Sequence, residues 1–79
     1  MNTYDELVKL LAPEFDLDPA TIDAERDLRD YGLDSLALVD MMFVVEERFG
    51  IDLPSDTSAF TSLKDLALLV DRLLLRRAA

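Results

Sequence analysis

Residues 34–50, DSLALVDMMFVVEERFG, decide the fold. Leu38, Met41, Met42, Val45 and Phe49 recur at the spacing of one helical face, so the stretch reads as a helix with a buried stripe. Asp34 is a good N-cap and Gly50 a ready stop. Together they bound the helix at Ser35 to Phe49, roughly 22 Å long at about 1.5 Å per residue. Just upstream, Gly32 supplies a flexible turn within Asp30-Tyr31-Gly32-Leu33-Asp34. Ser35 is then the first helical residue, its hydroxyl toward solvent beside backbone N–H groups that lack intrahelical partners. A phosphate ester on that hydroxyl would meet those donors and the positive end of the helix dipole. A cap with no further role is the simpler reading of the same pattern, and on these residues alone both stand.

Working outward, Thr3-Tyr4-Asp5-Glu6 reads as a capping box that opens a first helix, with Tyr4, Leu7, Val8 and Leu11 on one face. Pro13 restricts Ala12, so this helix either ends near Leu11 or continues through a kink to Phe15. From Asp16 to Asp34 the periodicity breaks up. A short turn is expected over Asp18-Pro19-Ala20-Thr21-Ile22, with Leu17, Ile22, Leu28 and Leu33 pinning a long connection to the core. Beyond the second helix, Ile51-Asp52-Leu53-Pro54 leads into one or two helical turns over Ser55 to Phe60, anchored by Phe60. Thr61 is expected to cap a last helix whose inward face is Leu63, Leu66, Ala67, Val70, Leu73 and Leu74. Arg72, Arg76 and Arg77 complement that helix's negative C-terminal end. The fold class is therefore all-α: one domain over residues 1–79, a small four-helix bundle with a long loop between helices 1 and 2 and a short third helix.

Composition narrows the function. Half of the 79 residues are apolar and Gly and Pro are few, which fits a compact helical domain and not a disordered acidic tail. Seventeen Asp and Glu against eight Lys and Arg give a net charge of −9, which opposes binding to nucleic acid or anionic membranes and favours basic partners. No signal peptide or transmembrane span is visible, so the cytoplasm is the expected compartment. With no His and no Cys, catalytic triads, thiol nucleophiles and histidine or thiolate zinc sites are excluded. Two glycines cannot build a phosphate-binding loop. Asp16-Leu17-Asp18 opens like a calcium loop, but Ala20, Thr21 and Asp27 stand where ligands and a glycine are needed. We therefore expect no catalytic residue and no metal. The second helix also carries a second stripe, Leu36, Val39 and Phe43, bordered by Asp40, Glu46 and Glu47. That strip is either a docking surface for a basic partner or a face covered by the first helix or the long loop.

At these residues the chain resembles the acyl carrier proteins and, more broadly, the phosphopantetheine-attachment domains. Asp30-Tyr31-Gly32-Leu33-Asp34-Ser35-Leu36 is similar to their Asp-Leu-Gly-x-Asp-Ser-Leu signature, and Glu46 to Pro54 is similar to the stretch closing their second helix. The order and lengths of the elements match as well. The resemblance implies that Ser35 receives 4′-phosphopantetheine from coenzyme A, donated by a phosphopantetheinyl transferase that needs magnesium, with Asp34 contacting the transferase and its metal. The absence of His and Cys then makes sense. The reactive thiol arrives on the arm, where an acyl cargo is held as a thioester and passed among acyl-loading and acyl-processing enzymes. The resemblance further implies that Leu36, Val39, Asp40, Phe43, Glu46 and Glu47 form the surface that meets their basic docking sites.

Departures from the pattern bear on the subfamily. Tyr31 replaces the usual Leu, and Ala37-Leu38 stand where carriers of primary fatty-acid synthesis tend to have an acidic and a small polar residue. A specialised, free-standing and monomeric carrier in a polyketide or fatty-acid-like pathway is the expectation. A discrete aminoacyl (peptidyl) carrier is the nearest alternative, although those commonly have a second Gly in this turn. An unmodified acidic helical adaptor is the competing class.

Overall fold

A computed structural model describes residues 2–54 and 59–78. Within them the chain is all-helical, with α1 (Thr3–Glu14), a 3-10 turn (Leu28–Tyr31), α2 (Ser35–Phe49) and α3 (Leu63–Ala78). The short third helix expected over Ser55 to Phe60 falls mostly outside the described residues. Ala59 lies in a 3-10 turn and Phe60 is buried, as an anchor should be. No helix among the described residues is long and apolar enough to cross a membrane.

The caps of α1 and α3 each lie one residue away from the expected position. Asn2, not Thr3, caps α1: its extended backbone lets the side-chain oxygen accept the Asp5 N–H at 2.9 Å. Thr3 is helical, and its hydroxyl donates to Asp71 on α3. Likewise Ser62, not Thr61, caps α3, with its hydroxyl oxygen accepting the Asp65 N–H at 3.2 Å. The Thr61 hydroxyl and N–H instead donate to the Asp65 carboxylate, which holds that carboxyl below the usual carboxylate range.

Pro13 lies inside α1, where it interrupts only the final turn. The helix closes just beyond it, as Phe15 N–H donates to Leu11 O at 2.9 Å and Leu17 N–H to Ala12 O at 2.8 Å across Asp16 in the left-handed region (φ 57°). The connection to α2 is ordered by its own side chains. Asp18, Asp23 and Asp27 each accept a backbone N–H two residues on, and the expected turn after Asp18 is present. Leu28 is fully buried, Ile22 and Leu33 pack at the core's edge, and Leu17 is half-buried. Two backbone bonds strap the connection to the start of α3: Leu28 N–H to Thr61 O at 2.8 Å and Lys64 N–H to Ala24 O at 2.9 Å, beside an isolated antiparallel bridge between Asp27 and Ser62.

The core joins all three helices through Leu7 and Leu11, Leu38, Met41 and Val45, and Leu63, Leu66 and Val70. Leu73 and Leu74 are half-buried at its margin. Arg76 and Arg77 lie in the last turn of α3, as expected, and Arg77 also reaches across the fold. Its guanidinium donates to Phe49 O at 3.0 Å and Gly50 O at 2.9 Å, closing α2 from outside.

Candidate functional site

The turn before α2 places Ser35. Gly32 adopts φ 84°, a left-handed conformation that ends the 3-10 turn and that side chains resist; a Cβ there would meet nothing within 4 Å, so conformation and not space requires glycine. Asp34 then takes extended geometry, its carboxylate accepting the Ala37 N–H at 2.8 Å and its carbonyl accepting the Leu38 N–H at 3.0 Å. The N–H groups of Ser35 and Leu36 find no acceptor among the described residues. Ser35 is exposed at the first position of α2. An esterified phosphate fits this setting: the hydroxyl is open to solvent and two donors remain at the positive end of the helix.

Tyr31, the departure from the family pattern, has a structural task. Its hydroxyl accepts the Asp23 N–H at 3.0 Å and donates to Asp23 O at 3.2 Å, while the Arg26 guanidinium lies 4.9 Å from its ring centre. A leucine here would supply packing but neither bond. The long loop is thereby fastened to the turn that carries Ser35.

The second stripe of α2 is open. Leu36 is 71% exposed and Phe43 63%, so neither α1 nor the long loop covers them. Asp40 and Glu47 are exposed on the same face, and Val39 is half-buried at its edge. Val39, Met42, Phe43, Glu46 and Leu53 line a cleft of about 270 Å³. Glu46 is partly occupied with structure, since its carboxylate accepts the Leu53 N–H at 2.7 Å and holds the chain after α2 against the helix. Leu53 and Met42 were not singled out as partner-face residues from the sequence; Met42 was read as part of the buried stripe of α2, and the apolar run after Gly50 was the only sign of Leu53.

The family described as a phosphopantetheine attachment site matches the chain over residues 5–70. The chain is similar to acyl carrier protein AcpXL of Rhizobium etli, 30% identical over 90% of this chain and 91% of that protein. It is also similar to the acyl carrier protein of Campylobacter jejuni subsp. doylei, 28% identical over 92% and 97%, and to that of Helicobacter pylori strain G27, 28% identical over 71% and 73%.

Proposed function

This chain belongs to the phosphopantetheine-attachment family of acyl carrier proteins, and from that premise we propose that it carries acyl intermediates on an arm at Ser35 in a polyketide or fatty-acid-like biosynthetic pathway. The single observation that carries the assignment of Ser35 is its exposed hydroxyl at the start of α2, beside two N–H groups without acceptors. 4′-Phosphopantetheine supplies the thiol that holds a cargo as a thioester. The protein's own residues do the rest. Asp34 fixes the first turn of α2 and offers a carboxylate to the transferase and its magnesium. Ser35 provides the oxygen for attachment. Leu36, Val39, Asp40, Phe43 and Glu47 present apolar contact at the centre and negative charge at the rim, suited to basic docking surfaces on the partner enzymes. Glu46 contributes to the rim while bracing Leu53. In this reading the chain is a carrier and not a catalyst, and it meets each enzyme as a monomer.

Mass spectrometry tests the reading. Incubation with coenzyme A, magnesium and a broad-specificity transferase should add one phosphopantetheine to wild type and none to Ser35→Ala, with both showing the same circular dichroism. No gain on wild type, or a gain on Ser35→Ala, overturns it, and an unmodified adaptor that docks through α2 becomes the better account.

A further inference from the structure

The first turn of α2 is held from few directions. Ser35 and Leu36 are exposed, their N–H groups have no acceptor among the described residues, and the cap made by Asp34 is what keeps the turn wound. Asp34 is in turn placed by the chain before it. The N–H groups of Leu33 and Asp34 also find no acceptor among the described residues, and Gly32 has no side chain to pack. Gly32 to Asp34 therefore join the cap to Tyr31 with only the half-buried Leu33 side chain to steady them.

Tyr31 is the firm end of that link. Its hydroxyl accepts the Asp23 N–H at 3.0 Å and gives its own proton to Asp23 O at 3.2 Å. Asp23 is itself well held. Its carboxylate accepts the Glu25 N–H at 3.0 Å, its carbonyl also accepts the Arg26 N–H at 3.1 Å, and the next residue, Ala24, accepts the Lys64 N–H of α3 at 2.9 Å. The Arg26 guanidinium, 4.9 Å from the Tyr31 ring centre, adds a further contact. Direct bonds thus run from the start of α3 through Ala24 and Asp23 to Tyr31, and from there the chain needs only Gly32 and Leu33 to reach the cap.

Resting on the reading of Ser35 as the attachment point, we propose that Tyr31 is a positioning residue for the attachment reaction. By clasping Asp23 it fixes the approach to Asp34 and keeps the first turn of α2 in the form that the transferase binds. A leucine at this position, as in the family pattern, has no hydroxyl and in this loop would leave the turn loose.

Without the clasp, the turn exchanges between the wound form and looser ones, and only the wound fraction is competent to bind, so the apparent affinity falls in proportion to that fraction. Both bonds are open to water, and their loss shifts the balance by about three- to tenfold, not by orders of magnitude. Once bound, every molecule presents Ser35 in the same way. The chemical step is then unchanged.

Steady-state kinetics with magnesium, coenzyme A and a broad-specificity transferase test this on Tyr31→Phe, which keeps the ring and its contact with Arg26, and on Tyr31→Leu, which loses both. Tyr31→Phe should raise the KM for the carrier about three- to tenfold, with kcat and the KM for coenzyme A unchanged. Tyr31→Leu should raise it at least as far. A residue that only stabilised the fold would lower the melting temperature and leave KM alone wherever the variant is folded, which circular dichroism checks. Amide hydrogen exchange on the unmodified proteins gives a second readout. The Ala37 N–H, which Asp34 caps, should exchange faster in Tyr31→Phe, while that of the fully buried Val45 should not. Equal KM values for wild type and Tyr31→Phe, a loss in kcat instead, or Ala37 exchange that rises only in step with Val45 overturns the positioning role. Failure of wild type itself to be modified is a separate result, which removes the carrier reading and the role of Tyr31 with it.

Discussion

Replacing Asp34 in two ways separates its part in the fold from its part in modification. Its carboxylate accepts the Ala37 N–H at 2.8 Å as the N-cap of α2. Asp34→Ala removes that acceptor, and losing an N-cap costs about 1 kcal/mol. For a domain of 79 residues this lowers the melting temperature by about 4–8 °C. Asp34→Asn keeps an oxygen at the same reach and gives up only the charge's interaction with the helix dipole, a few tenths of a kcal/mol at an exposed site. On stability, then, Asn should stay close to wild type and Ala should fall below it. The rate of phosphopantetheine addition should divide differently. If the transferase and its magnesium use the negative carboxylate, both variants are slowed to a similar degree, although only one is destabilised. Thermal unfolding followed by circular dichroism and a mass-resolved time course with coenzyme A measure the two quantities on the same samples. An Asn variant as unstable as the Ala variant would refute the capping argument, and an Asn variant modified at the wild-type rate would remove any role for the charge.

On the partner face, Asp40→Lys and Glu47→Lys should slow association with the transferase or a pathway enzyme and flatten its salt dependence, whereas Phe43→Ala should chiefly speed dissociation, by about 2 kcal/mol if Phe43 is a central anchor; stopped-flow binding at two ionic strengths decides. Gly50→Ala should cost about 1–2 kcal/mol for its left-handed backbone (φ 65°), and more because the new Cβ would lie 2.8 Å from Arg77 Nη1. In urea unfolding the same substitution made on an Arg77→Met background should cost less, and strictly additive values would show that the two sites do not touch. The Asp65 carboxyl, held below its ordinary range first by the Thr61 hydroxyl, contributes stability that is present above the ordinary carboxylate pKa and is lost as pH falls toward its lower folded value. Thr61→Ala should move its NMR titration midpoint upward; an unmoved midpoint would assign the depression to another group.

The second helix was legible because every level of its sequence agrees: a capping Asp34, a stripe from Leu38 to Phe49, and Gly50 able to take φ 65°. The caps of α1 and α3 were each misplaced by one residue because two competent capping residues are adjacent, Asn2 beside Thr3 and Thr61 beside Ser62, and local chemistry does not choose between them. Pro13 left the end of α1 open, since a proline is compatible with a last turn that has few bonds left to break. Arg77 lies at its own helix end as read, but its second role was not legible, because the carbonyls it reaches belong to Phe49 and Gly50, which come near only once the chain has folded. The exposure of Leu36 and Phe43 was similarly undecidable from periodicity alone, because two apolar stripes on one helix do not say which neighbour each will meet.

The strap between residues 24–28 and residues 61–64 bears on when during synthesis the chain becomes usable. The turn leading to Ser35 is braced by backbone bonds from a segment made long after it, so a nascent chain that has released α2 but not the start of α3 lacks part of the frame around its serine. Bonds between distant segments form only after the intervening loop closes. A transferase that reads the finished shape of this turn would therefore pass over truncated or half-made chains, and coenzyme A would be committed to molecules able to fold completely.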